Sequence, residues 1–349
     1  MNEPRAWLLR CASIGALGFA AVMGVTGCSA MKVGLGMRVH LDKLPVKTIE
    51  ASMPNGPAIA PGESSPLVLT FTDASGKVWV TEGKGKGKIL WSDLTVTPSV
   101  VTVNKKGVLS LAHDPRKSDG KIGQVEISVP SHPELHASLT VPVTYDYAFA
   151  ANFNGANGSD GLNGSSGSDG MSGSSGSMGS CDPDNSSAGG DGGNGSDGTD
   201  GGNGGDGTDG GNAPAVKVMI TLRPGASPLL QAVVSAAGRK DRHFLVDPQG
   251  GSLTISANGG AGGNGGSGGK GGKGGSGGSG GSGCPSGSDG SSGLDGQDGM
   301  SGSDGSPGSS GAITIVYDPA VKPYLTALKT SNKGAPPPVY QEAPVAPLW

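Results

Sequence analysis

The chain has 349 residues and a formal net charge of -4, too small an imbalance to point to a nucleic-acid partner. It contains 68 Gly, with only 4% aromatic and 34% hydrophobic residues. The apolar residues avoid positions 155–212 and 259–311, so a conventional core can form only outside those windows.

At the start, Arg5 and Arg10 precede a short apolar stretch, Cys11 to Val25, rich in Ala and Gly. It is shorter than the ~20 residues of a spanning helix but suits a signal peptide. The stretch ends in Val25-Thr26-Gly27-Cys28, which resembles the lipobox of bacterial lipoproteins. That resemblance implies cleavage before Cys28, acylation of its thiol and amino terminus, and stable anchoring by several acyl chains. An ordinary cleaved signal with a chance Cys is the alternative. Ser29, where the family's inner-membrane retention signal places Asp, implies export to the outer membrane or cell surface. Residues 1–27 are thus expected to be the signal and 28–45 a tether.

From 46 to 150 short β-branched runs alternate with Gly, Pro, Asn and Asp at sandwich-like spacing. Trp91-Ser92, then Ser99-Val-Val-Thr-Val-Asn104, then Gly107-Val-Leu-Ser110 together resemble the bacterial group 2 immunoglobulin-like domain. The resemblance covers about 100 residues and implies a spacer or adhesive module. His132, Glu134 and His136 are ordinary metal-ligand types, but a solvated turn between strands is the simpler reading. Glu82-Gly-Lys-Gly-Lys-Gly-Lys88 could touch an anionic surface, yet reads more simply as a flexible hairpin tip.

Gly recurs every third residue in four tracts, 155–179, 189–210, 259–283 and 287–311, with nine, eight, nine and nine Gly positions in register. Flexible linkers have no reason to keep a period or a matched length. A period of three fits a polyproline-II-like helix, but the triplets contain only Pro307, which argues against collagen. The tracts resemble the polyglycine-II bundles of glycine-rich antifreeze proteins and phage adhesin tips. Tracts one and four carry one Gly face. Tract three carries two throughout and tract two carries two in most triplets, so these two should be central.

Cys181 and Cys284 interrupt the period between tracts, where the chain should reverse. An intramolecular Cys181–Cys284 disulfide is expected in an oxidising compartment, with free thiols or an intermolecular bridge as alternatives. Strand-like runs flank the tracts at the other end, giving an expected β base over 213–258 and 312–317. Residues 319–349 read as a Pro-rich tail, extended in the polyproline-II manner after Ala335. The expected fold class is mainly β, an immunoglobulin-like β-sandwich plus a small β-sheet base carrying a four-helix polyglycine-II bundle over 151–318.

No catalytic constellation emerges. Ser residues abound without a His base in a nucleophile motif, and the many G-x-G-x-x-G matches lack the strand-turn-helix frame that gives them meaning. Pro337-Pro-Val-Tyr340 matches a WW-ligand pattern, but in a chain expected to be exported from a bacterium chance explains it better. Gly192 to Asp200 and Gly201 to Asp209 match the first six positions of the calcium β-roll repeat, but Thr replaces its large apolar residue. Asp191, Asp197, Asp200, Asp206 and Asp209 remain weak calcium candidates; no other cofactor is implied. The expected function is that of a membrane-anchored surface lipoprotein with a structural or adhesive role, with surface polysaccharide or protein as possible partners. Binding to a regular surface (polysaccharide or ice) is the alternative.

Overall fold

A computed structural model describes residues 37–349. Cys28 and the expected signal and first part of the tether lie outside those residues. The protein is mainly β, with several sheets, and divides into two compact units. Among the described residues, one comprises 37–59, 64–111 and 122–142; the other comprises 60–63, 112–121 and 143–349.

The first unit holds β1 (Val46–Ser52), β2 (Ser64–Pro66), β3 (Val68–Asp73), β4 (Val78–Val80), β5 (Thr95–Ser99), β6 (Val101–Val103), β7 (Val108–Leu111), β8 (Gly123–Val129) and β9 (His132–Val141). They form three antiparallel three-stranded sheets, ordered β1-β3-β4, β2-β7-β6 and β5-β8-β9. Period-two patterning supplies the core: along β8, Gly123, Val125, Ile127 and Val129 are buried and the residues between them are exposed. The expected tether to residue 45 is shorter in its described part. Leu41 is fully buried, and Asp93 accepts its backbone N–H, so residues 41–45 belong to this unit. The Glu82–Lys88 stretch is an ordered turn rather than a loose tip. Glu82 pairs with Arg38, and Gly87 lies so close to Val80 that a Cβ would strike its carbonyl. His132 and His136 sit on β9 opposite Val129 and Ser128, separated by a register shift.

The β3–β4 hairpin turns on Asp73, whose carboxylate accepts from Ser75 Oγ at 2.6 Å, from the N–H groups of Ser75 and Lys77, and from Trp79 Nε1. The hydrogen bonds from Ser75 and Trp79 lower its pKa from 3.8 to about 2. A carboxylate with a depressed folded-state pKa adds stability that is present above pH 3.8 and lost as the pH falls toward 2. Acid titration of the wild type should therefore weaken this unit over that window. Asp73→Asn should flatten that part of the curve, and an unaltered curve in the variant would reject the assignment.

The second unit carries β10 (Ala148–Asn152), β11 (Cys181–Asp182), β12 (Asn185–Ser186), β13 (Val216–Leu222), β14 (Leu230–Ala236), β15 (Arg242–Val246), β16 (Ser252–Ser256), β17 (Ile313–Tyr317), β18 (Leu328–Ser331) and β19 (Val339–Glu342). The expected single base sheet is two sheets, β15-β14-β13-β17-β19 and β10-β16-β18. Both feed one apolar core that includes Phe149, Leu253, Ile255, Val218, Ile220, Leu230 and Ile315. The division has a physical basis: a sheet residue buries only one face, and two sheets face to face bury both sets together.

Residues 319–349 are packed into this unit rather than forming a tail, and the stretch after Ala335 includes an extended strand, β19. They form a 3-10 segment (Pro319–Ala327), then β18 against β16 and β19 against β17. Beyond β19 the backbone is held by buried polar side chains. Thr221 Oγ1 donates to Val345 O at 2.9 Å, and Gln231, 1% exposed, donates to Trp349 O and accepts from Leu348 N–H. Proline content favours extension, but these long-range partners decide where the extended chain lies. Among the described residues, helical structure is confined to short 3-10 segments, and the tracts contain no α-helix.

Candidate functional site

The four glycine tracts are extended segments that run side by side and are cross-linked by backbone hydrogen bonds. The in-register Gly N–H groups of tract one donate to tract three in an unbroken series, from Gly155 to Asn258 O through Gly179 to Ser282 O, at 2.6–2.9 Å. Tract two donates to tract one through alternate members of its triplets, such as Gly202 to Ser165 O. It donates to tract four through others, such as Gly201 to Gln297 O. Tract three donates to tract two (Gly269 to Gly202 O), and tract four to tract three (Gly299 to Gly269 O). Tracts two and three therefore each touch three neighbours, whereas one and four each touch two. The second Gly face of the two central tracts is what allows that approach. A Cβ on Gly269 would collide with Ser165 O, and one on Gly268 with Gly299 O.

Each series advances by three residues per bond, so the backbone returns to the same neighbour every third residue. Isolated chains with that period have no internal hydrogen bonds. Here the polar backbone groups are matched across tracts instead.

Side chains complete the matching. In tract two the third residue of every triplet from 191 to 212 is Asp or Asn, and every one accepts an N–H from tract four. The series runs from Asp191 with Ser288 through Asn194, Asp197, Asp200, Asn203, Asp206 and Asp209 to Asn212 with Ser309, at 2.6–2.9 Å. Tract three receives the same service from both sides. Asn157, Asp160, Asn163 and Asp169 of tract one accept from it, as do Asp289, Asp295, Asp298 and Asp304 of tract four. Ser196, Thr199 and Thr208 hydroxyls accept from tract one. The short Asx side chain fits because its oxygen reaches one backbone step away, as it does in turns.

All five calcium candidates are thus acceptors in one ladder. Among the described residues, no group of three or more His, Cys, Asp or Glu side chains is placed to hold a metal ion. Residues 192–209 form no strand, so a β-roll is not built there. Sequence reasoning missed the ladder, though its signal was present in the strict Asp/Asn third position of tract two.

Asp197→Ala should leave the Leu294 N–H without its acceptor and cost about 1 kcal/mol at this exposed position. Asp197→Asn should be nearly neutral. Denaturation curves of both variants test this, and equal losses would mean that charge rather than the acceptor matters.

The ends of the rod are fixed on both sides. β10 and β16 pair in parallel, Ala148 with Ser252 through Asn152 with Ser256, and lead directly into tracts one and three. The same separation of 104 residues recurs in the Asx bonds up the rod. Tracts two and four return into the parallel pair β13–β17 with a separation of 97 that is likewise kept along the rod. At the far end Cys181 and Cys284 form a disulfide, with Cα atoms 5.0 Å apart. A two-residue hairpin, β11–β12, turns the chain beside it.

Comparison with protein-family models, curated proteins and solved structures finds no match for this chain. What the rod can do must be argued from its own geometry. Its outward residues are mostly Ser and Asp, with Leu162, Met171, Met178, Leu294 and Met300 standing exposed among them.

Proposed function

We propose that this chain is an exported surface lipoprotein, anchored through Cys28, whose glycine tracts form a stiff polyglycine-II rod with a structural or adhesive role. The unbroken inter-tract ladder carries this reading. A linker gains nothing from pairing its backbone in register, whereas a load-bearing or presenting element does. At ~3.1 Å per residue, a 25-residue tract would extend about 75 Å. The immunoglobulin-like reading of the first unit is supported by contacts among the motif residues. Trp91 packs where a Cβ on Gly107 would stand, and Asn104 Oδ1 accepts from Lys106 and Val108 N–H to shape the hairpin between β6 and β7.

Recognition of a regular lattice has weaker support. The outward row of tract one, Ser159, Ser165 and Ser168, is interrupted by Leu162 and Met171. Calcium binding is also disfavoured. Successive carboxylates of tract two stand at least three residues apart, ~9 Å along the rod, too far to share an ion that coordinates at ~2.3–2.6 Å.

Cys28→Ser should abolish incorporation of radioactive palmitate and release the chain from the membrane fraction. Undiminished labelling would sink the anchor. Melts and electron micrographs of the purified chain test the rod independently.

A further inference from the structure

The second unit contains a cleft of about 640 Å³, lined by no residue of the glycine tracts, between two strands that each lie at the edge of their sheet. β10 lines one side through Ala148, Phe149 and Ala150, and β15 the other through Arg242, His243 and Phe244. The size lies within the ~300–1,000 Å³ usual for small-ligand sites.

Three features of the lining restrict what would fit. First, its charges balance. The lining holds two acids, Asp114 and Asp241, and two arginines, Arg116 and Arg242, and His243 is held toward its neutral form by burial and by Arg116. Neither arginine is an open anion site. Arg116 makes a fork to Asp114, Nε to Oδ1 at 2.9 Å and Nη2 to Oδ2 at 2.6 Å, and Arg242 lies 4.8 Å over the Phe153 ring. Second, the apolar part is an edge-to-face aromatic series. Tyr147 stands 5.2 Å from Phe149, and Phe149 stands 6.2 Å from Phe244. Tyr147 is 39% exposed, so its ring is open to a ligand. Third, two of the polar groups are tied by neighbouring contacts. Asp114 accepts from the Arg116 backbone N–H as well as from its guanidinium, and the His113 ring packs so tightly on Gly62 that a Cβ there would strike it.

An ionic ligand would meet no net opposite charge here, and a purely apolar one would strand the polar rim. A pyranose presents an apolar C–H face and a rim of neighbouring hydroxyls, each of which can both donate and accept. We propose that this cleft binds a short stretch of an uncharged polysaccharide, with a sugar ring stacked on Tyr147 and its hydroxyls paired with Asp114, Arg116 and Asp241. The opening between two strand edges lets the polymer continue past the site. The site is independent of the anchor and of the rod.

Calorimetric titration of the full chain at neutral pH with maltohexaose, cellohexaose and chitohexaose tests the proposal, with hexagalacturonate and hexameric chitosan as charged counterparts. At least one neutral oligomer should bind, about tenfold or more tighter than either charged one. Tyr147→Ala and Arg116→Ala should each weaken that binding by about tenfold at unchanged melting temperature. Failure of all three neutral oligomers to bind would overturn it. So would tighter binding of a charged oligomer, or wild-type affinity in both variants.

Discussion

Gly269→Val should unfold the rod at a markedly lower temperature than the wild type, while Ser168→Val should leave the melting temperature almost unchanged. A Cβ at Gly269 points at the Ser165 carbonyl, and the same residue donates to Gly202 O and accepts from Gly299 N–H. Tract three therefore cannot move away from tract one without straining its bonds to tracts two and four. Loss of two or three such bonds, at about 1 kcal/mol each, amounts to about 2–3 kcal/mol before any strain is added. Ser168 uses only its backbone, bonding to Thr199, and its side chain is exposed. The pair holds the introduced residue constant and varies only the face on which it sits. Thermal melts with the disulfide intact measure it; equal small shifts would mean that the tracts do not pack as rods.

The second large effect is expected from the tip. Cys181 and Cys284 are separated by 103 residues, and removing the cross-link frees a loop whose closure is worth roughly 4–5 kcal/mol in the chain-entropy model. The double variant Cys181→Ser, Cys284→Ser should lose stability of that order. Because the base remains closed by the β10–β16 and β13–β17 pairs, the loss should begin at the far end. Hydrogen exchange should show Gly176 and Gly281 losing protection before Gly158 and Gly263. Uniform loss along the rod, or none, would reject a clamping role for the tip.

How much of this could be read from the sequence depended on how local each determinant is. The strict period gave the tract boundaries, and counting Gly faces placed tracts two and three at the centre, while their three neighbours each are read from the backbone bonds. The Cys pair followed from its position at the reversals. The Asx ladder was not legible because Asp in a Gly repeat also fits a calcium ligand, and only the packed tracts show which N–H groups need an acceptor. The partition of the base into two sheets was not legible, since β10 and β13 carry similar apolar runs and only pairing distinguishes them. The fate of residues 343–349 was hidden for a related reason. Their composition reports backbone stiffness, while Thr221 and Gln231, more than 100 residues away, decide where the segment docks. In the first unit, the motif around Trp91 was visible, but the burial of Leu41 before it was not, as its capping partner Asp93 lies 52 residues on.

The constant separations of 104 and 97 residues have a consequence for how such a molecule can vary over time. An insertion of one residue in any tract would rotate its Gly face away from its neighbour. Three residues added to one tract alone would keep the face but displace the reversal from its partner. Length can therefore change only in quanta, one triplet added to all four tracts at once. Each such step would carry the tip about 9 Å farther from the base. Related chains should then differ in reach by whole steps, with every tract of a given chain changed alike and the Cys pair still opposed.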